Sequence, residues 1–368
     1  MTMKNVMQCS AIAAEAQPRC GLCNGHGKVI YRDLEDRLFD AAGHWTLKQC
    51  SESSCGLIWL DPMPTEEDIG KAYLNYYTHE NENIQKPKKH RGVFWQLKRS
   101  FSTARSAGYL ALMYGAVSGA SSLAKLAGLF AYLQPTLKSK LDFNAMYLRV
   151  RSGAKLLEIG CGSGRQLEFL RKLGWQAEGL DLDPRAVEVA SARGLTIHLG
   201  SLEEQHFLGR SFDAVVSSHV IEHVHDPVGL LRECGRILRS DGKLVIITPN
   251  TSSWGHVWFR NHWLALDPPR HLHLFNSISL RRAAEEAGLK VLRLTSTVRD
   301  ADGLFRASRD IQRTKRHVWG IRHSLGLRRW SRVLQWVEWL LLQVGLDRGE
   351  ELMMICEPND ESMRHCFR

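Results

Sequence analysis

The sequence has no sign of a secretory leader. Its first residues carry one lysine, and no apolar stretch long enough for a leader core follows it. Residues 107–133 come nearest to a membrane span, but Gly, Ser and Lys125 interrupt them, so a helical lid or an interfacial segment is expected instead. A disulfide framework is also missing: the nine cysteines are an odd number, and four of them form metal-like pairs. A reducing, cytoplasmic compartment is therefore expected. Acids are fewer than bases, 39 against 49, for a formal net charge of +10. That balance favours phosphate groups, nucleic acid or an anionic membrane face as partners. The bases gather in Lys86-Pro87-Lys88-Lys89-His90-Arg91 with Lys98 and Arg99, and again from Arg306 through Arg309, Arg313, Lys315, Arg316, Arg322, Arg328 and Arg329 to Arg332. Solvated helix faces would account for both clusters equally well. At 368 residues the chain is long enough for more than one folding unit.

The most informative run is Leu156-Leu157-Glu158-Ile159-Gly160-Cys161-Gly162-Ser163-Gly164. An apolar strand holding an acid gives way to glycines at every second position, and a helical stretch over 165–173 follows. Such glycines let the backbone turn sharply and let a ligand approach the main chain. The third glycine of the dinucleotide fingerprint is absent, because Arg165 stands in its place. Glu158 would repel a pyrophosphate and favour a cation. S-adenosylmethionine, with a sulfonium, an ammonium and no phosphate, suits it. Asp181 closes the next apolar strand, 176–181, where an acid binds ribose hydroxyls. Further strands over 195–199, 211–219 and 243–248, a helix over 227–238 and a turn at Ser240-Asp241-Gly242 complete an α/β pattern. It predicts a doubly wound, Rossmann-like parallel sheet with ligands at the carboxyl ends of its strands.

These residues, with Asp181-Leu182-Asp183, Phe212-Asp213 and Val220-Ile221-Glu222-His223-Val224 before Asp226-Pro227, resemble class I S-adenosylmethionine-dependent methyltransferases. The resemblance covers roughly residues 150–300. It is to the branch of quinone-pathway O-methyltransferases and of polysaccharide and deoxysugar methyltransferases. It implies that Glu158, Gly160, Cys161, Gly162 and Gly164 hold the methionine part of the cofactor. Asp181 would accept the ribose hydroxyls, Leu182 would pack on adenine, and Ser201 and Leu202 would border the adenine edge. Ser218 and His219 would line the floor near the sulfonium. Cys161 reads as a small loop residue rather than a nucleophile.

Nearer the amino terminus, Cys20-Gly21-Leu22-Cys23 is followed by Cys50-Ser51-Glu52-Ser53-Ser54-Cys55. Two thiolate pairs on tight turns suit a tetrahedral structural zinc, which would staple a segment too short to fold unaided. Deoxysugar-pathway methyltransferases carry a similar zinc ribbon. The second pair is more widely spaced than usual, leaving His26 or His44 as alternatives to Cys50. Residues 65–77 read as a helix, with Ile69, Ala72, Tyr73 and Tyr76 at helical spacing. Strands over 290–298 and 351–356 should form the closing antiparallel hairpin, with about 50 residues between them. That insertion, Arg-rich and then apolar over 330–342, reads as a helical cap on the site or as a shallow membrane anchor. The expected units are 1–62 (zinc ribbon), 63–150 (helical linker or lid), 151–300 (cofactor-binding core), 301–348 (helical insertion) and 349–368 (final strand and tail).

Methyl transfer needs an aligned acceptor and, for a hydroxyl, a base. His271 and His273 in the aromatic-rich loop 250–276 are candidate bases, as is His223 after the fourth strand. The resemblance places the Glu222–His223 pair at the active site, with the acid available to a divalent metal. No Asn/Asp-Pro-Pro-aromatic motif follows the fourth strand, and no Pro-Cys pair follows the fourth or fifth, which argues against methylation of nucleobases. The expected acceptor is a sugar, glycolipid or other hydroxylated small molecule, methylated on oxygen, with carbon methylation open. A zinc-ribbon ribosomal RNA methyltransferase is the alternative, although no basic-aromatic RNA-binding signature accompanies it. The oligomeric state is not legible.

Overall fold

The computed structural model describes residues 11–74, 93–116 and 120–359, the side chains of 93–100 excepted. The basic run from Lys86 to Arg91, the side chains of Lys98 and Arg99, and Cys9 and Cys366 lie outside the described residues. The amino-terminal part holds β1 (Ala14–Glu15), β2 (Gly27–Leu34), β3 (Trp45–Cys50), β4 (Ile58–Leu60) and β5 (Met63–Pro64). Three helices follow: α1 (Val93–Tyr114), α2 (Ser122–Leu129) and α3 (Pro135–Asn144). The alternating core runs β6 (Lys155–Ile159), α4 (Arg165–Leu173), β7 (Gln176–Asp181), α5 (Pro184–Ser191), β8 (Ile197–Leu199), β9 (Phe212–Ser218), α6 (Pro227–Ile237) and β10 (Leu238–Pro249). It continues through α7 (Trp254–Phe259), β11 (His273–Leu274), α8 (Ser277–Glu286) and β12 (Leu289–Thr297). The chain then forms α9 (Ala301–Thr314), α10 (Leu325–Gln343) and β13 (Glu351–Pro358).

The main sheet has seven strands in the order β12-β13-β10-β9-β6-β7-β8. Its central strands are parallel, and β13 is antiparallel to both β10 and β12. This is a mostly parallel, Rossmann-like sheet, as expected. Strands covered on both faces should read as continuous apolar runs, as Val245, Ile246 and Ile247 do. Helix caps enforce the alternation. Gly174 (φ +117°) ends α4, whose inward face is Leu167, Leu170 and Leu173. Asp183 and Asp226 each accept a main-chain N–H at the start of α5 and α6, and a proline follows each at the first helical position.

Two local expectations fail. The helix expected over 65–77 is a 3-10 turn, Ile69–Tyr73, within the described part. No side chain caps it, and its Asp68 carboxylate is drawn off to the Ala13 N–H (2.7 Å). The turn expected at 240–242 is a bulge inside β10: Leu238 pairs with Phe212 and Lys243 with Ala214, so extra residues loop out without ending the strand.

The cysteine-bearing segment is not an appendage. Its four-stranded sheet runs β11-β4-β3-β2, and β11 comes from the loop between β10 and α8. Leu47, Leu57, Ile58 and Leu60 share one apolar core with Leu272, Leu274, Phe275 and Leu280. The insertion forms α9 and α10. Arg306 donates to Ser331 Oγ (2.9 Å) and Gln335 to the Val298 carbonyl (2.7 Å), tying the helices to each other and to the end of β12. Among the described residues, no helix is long and apolar enough to cross a membrane.

Candidate active site

The turn after β6 keeps its main chain open to a ligand. Gly160, Gly162 and Gly164 all have positive φ (+70°, +51° and +73°). A Cβ on Gly160 would strike Val220 at 2.4 Å, whereas one on Gly162 would meet nothing within 4 Å. Beneath the turn, Glu158 is buried and its Oε2 has no hydrogen-bond partner. Burial, with the nearby Asp181 carboxylate, pushes it up to about 8. Asp181 accepts from the Gly162 N–H (2.7 Å) and the Asp183 N–H (2.9 Å), which fixes the turn against the end of β7. Leu182 beside it is 71% exposed. Ser201 lies at the next strand end, its N–H donating to Glu204 (2.7 Å). Leu202 is buried in the apolar core, so only its main chain could border a ligand. The Cys161 thiol is buried and pushed up to about 12, first by burial and then by Glu158. It is not a nucleophile poised to react.

At the ends of β9 and β13 a charged chain crosses the floor. Ser218 is half-buried, and His219 follows it in the left-handed region (φ +56°). His219 donates through Nδ1 to Glu222 (3.1 Å) and through Nε2 to Glu351 (2.9 Å). Burial opposes a charge on this ring, but the two carboxylates outweigh it and hold His219 at about 9. Glu222 falls to about 2 despite its burial, because His219 donates to it, and Thr248 Oγ1 donates to its other oxygen (3.0 Å). Glu351 likewise falls to about 2 against burial, chiefly through Arg299, whose Nε donates to Oε2 (2.9 Å). The Arg299 guanidinium lies 3.6 Å from the centroid of the Phe143 ring. Sequence reasoning missed both Arg299 and Glu351. A pair of acids opening an otherwise apolar strand, Glu350-Glu351, was the available signal.

The candidate bases separate. His271 lines a cavity of about 1120 Å³ together with Ser163, His219, Pro249, Arg299 and Trp319. Its Nδ1–H donates to the Ala265 carbonyl (2.8 Å), which leaves Nε2 as the acceptor nitrogen. His223 stands edge-on to it, ring centroids 4.7 Å apart. Burial, then His271, push His223 down to about 4. His273 must be withdrawn as a base. It belongs to β11, pairs with Trp59 and does not line the cavity. Glu222 is fully buried and engaged with His219 and Thr248, which keeps it from an acceptor, while its carboxylate lies within 4.8 Å of ligand atoms of His223 and His271, the grouping in which the acid was expected to be available to a divalent metal.

The loop carrying His271 is anchored by Arg270, whose side chain is fully buried. Arg270 donates to both oxygens of Asp36 (2.7 and 2.8 Å) and to Asp267 (3.0 Å). Asp36 also accepts from the N–H groups of Leu38, Phe39 and Ala41. The amino-terminal segment thus sets the position of the candidate base.

Residues 129–294 match a family model described as a methyltransferase domain. The chain carries a methyltransferase domain. It is 37% identical over 119 residues to the ubiquinone biosynthesis O-methyltransferase of Xanthomonas oryzae pv. oryzae, covering 30% of this chain and 49% of the relative. It is 35% identical over 121 residues to the Xanthomonas campestris pv. campestris protein of the same name, at 30% and 49% coverage. The chain spans about half the length of the curated relatives it matches. Among solved structures, an S-adenosylmethionine-dependent methyltransferase from Mesorhizobium loti overlays with a TM-score of 0.40 at 18% identity, covering 59% of this chain and 97% of that one.

Beside the methyltransferase domain, the four thiols converge. Cys20 and Cys55 Sγ are 3.7 Å apart and Cys23 and Cys50 Sγ 3.3 Å, all four within 4.8 Å of one another. Sulfurs bound at about 2.3 Å around a tetrahedral zinc stand about 3.8 Å apart, so the donor set fits. Cys50 is part of the group. His26 and His44 are not; both are exposed, His44 beside Glu35.

Proposed function

We propose that the protein transfers a methyl group from S-adenosylmethionine to a hydroxyl oxygen of a small molecule, a sugar, glycolipid or other hydroxylated acceptor. The observation that carries the reading is the unpartnered Glu158 Oε2 beneath an open glycine turn: a buried carboxyl oxygen without a partner calls for a donor or a cation. When bound, the cofactor supplies a methyl group on an excellent leaving group. Glu158 would take its ammonium and Asp181 its ribose hydroxyls, while Leu182 and the 201–202 main chain cover the adenine. Ser218 and the His219–Glu351–Arg299 chain form a rigid charged floor. Alignment in such a site contributes up to roughly 7–11 kcal/mol, and a placed base about 10²–10⁴ in rate. His271 Nε2 takes the acceptor's proton, with neutral His223 beside it. Cys20, Cys23, Cys50 and Cys55 would hold a structural zinc that fixes β2–β4 and, through β11, the loop bearing His271. The acceptor would reach the cavity from a peripherally bound membrane face in the cytoplasm.

The test is incubation of cell extracts with radiolabelled methyl donor, followed by separation into small-molecule, lipid and RNA pools. Label should enter the first two pools. Label confined to RNA would overturn the acceptor class and favour the ribosomal RNA reading. His271→Asn should lower kcat about 10²–10⁴-fold and leave cofactor affinity intact.

A further inference from the structure

We propose that the cap carries a metal site of nitrogen and oxygen donors, formed by Asp310, His317 and His323. Asp310 lies in the last turn of α9, and the two histidines lie in the segment before α10. Each offers one ligand atom, all within 4.8 Å of one another. A single carboxylate oxygen, Asp310 Oδ2, lies 2.9 Å from His317 Nδ1 and 2.8 Å from His323 Nε2. Two donors bound at about 2.05 Å stand about 2.9 Å apart on an octahedral ion and about 3.4 Å apart on a tetrahedral one. The observed spacing fits groups sharing an octahedral ion, and it is also that of two N–H···O hydrogen bonds.

The ligands are held in place without an ion. The His317 side chain is 6% exposed, the main-chain N–H of His317 donates to the Arg37 carbonyl (3.0 Å), and the ring stands edge-on to Trp319 with centroids 4.9 Å apart. The His317 and His323 rings lie parallel, 3° apart in plane. Ordered imidazoles lose little freedom on ligation. Two imidazoles and one carboxylate suit zinc, iron or manganese better than magnesium, and three protein ligands leave coordination positions open.

His317 and His323 both line the cavity that His219 and His271 line. The open positions would take an oxygen donor, the hydroxylate or phosphate of an acceptor. This last step rests on the methyl-transfer reading; ion binding itself does not. A carboxylate that merely accepts one N–H from each ring is the competing account, and metal binding separates the two.

The experiment uses the full chain, stripped by chelator and given one equivalent of Zn²⁺ for the thiolates. It is then titrated with Mn²⁺, followed by the electron paramagnetic resonance of the free ion, and separately with further Zn²⁺ by calorimetry. One saturable equivalent is expected, and His323→Gln, which keeps an N–H for Asp310, should weaken it at least tenfold. The proposal is overturned if neither ion binds saturably to the wild type, or if His323→Gln binds as the wild type does. Methyl transfer persisting in that case would leave the functional reading intact and remove only the ion.

Discussion

Glu158 is buried and His219 partly exposed, and pH acts on ligand binding through the first and on stability through the second. Burial, then Asp181, raise Glu158 to about 8, so at pH 7 it is largely neutral in the free protein. A cation bound above it favours the ionised form, and the displaced proton must leave. Calorimetry at pH 7 in buffers of different ionisation enthalpy should show release of up to about one proton per S-adenosylmethionine bound. Affinity should rise with pH and level off above about 8. Glu158→Gln should abolish the release and weaken binding about tenfold or more. An unchanged proton count in that variant would refute the role of Glu158. His219 is raised from 6.5 to about 9 by Glu222 and Glu351 in spite of burial. Its contribution to stability is complete below about pH 6.5 and is lost as pH rises through about 9. Solvent reaches about a third of the ring and tempers the size of the effect. The urea midpoint should therefore fall between pH 6 and pH 9.5, and His219→Gln should show a flatter profile across that window.

Among the elements, the loop between β10 and α8 depends most on distant partners. Arg270 and Asp36 meet across 234 residues, with both side chains inaccessible to solvent. Removing one member of such a pair strands the other, at about 3–5 kcal/mol, whereas replacing both with apolar residues can be nearly neutral. Arg270→Met should destabilise by that amount in denaturant titration, and adding Asp36→Asn, which removes the stranded charge and still accepts from the main-chain N–H groups of Leu38 and Phe39, should restore part of the loss. Equal destabilisation in the single and double variants would show that the pair is not coupled. This contact also marks where the sequence stopped being informative. Strands β6, β7, β9, β10, β12 and β13 were legible because each is a local apolar run bounded by glycine, proline or an acid. That the glycine turn, Asp181 and His219 stand at strand ends was legible for the same local reason. Strand β11 was not, because two residues carry no periodicity, and its pairing with β4 is made by a segment far away in the chain. Glu351 reaches His219 across 132 residues and Arg299 across 52, so no spacing rule could have joined them. His273 was misplaced on the same account: its aromatic neighbourhood resembled an acceptor pocket, but strand pairing places it in the cysteine-bearing sheet.

At the scale of the whole molecule, the proposed membrane contact would be made by the outer face of α10. Helix α10 turns Ser331, Gln335 and Glu338 inward, and on its outer side Val333, Trp336, Val337, Leu340 and Val344 are exposed at spacings of three and four. One turn ahead of Val333, Arg329 continues that stripe, with Arg328 and Arg332 exposed beside it. On a chain of net charge +10, an apolar stripe with arginines at one end fits a surface that is apolar just below a layer of phosphates. Trp319 and Ile321, on the segment joining α9 to α10, are exposed and line the cavity, so a lipid-borne acceptor would pass from that surface to His271 along the cap. The protein should sediment with vesicles containing anionic phospholipid and not with purely zwitterionic ones, and the bound fraction should fall as salt rises. Val337→Ser combined with Leu340→Ser should reduce vesicle binding at least tenfold and leave turnover of a water-soluble acceptor unchanged. If the double variant sediments as the wild type does, the stripe is not the docking face, and the arginines alone account for any attraction.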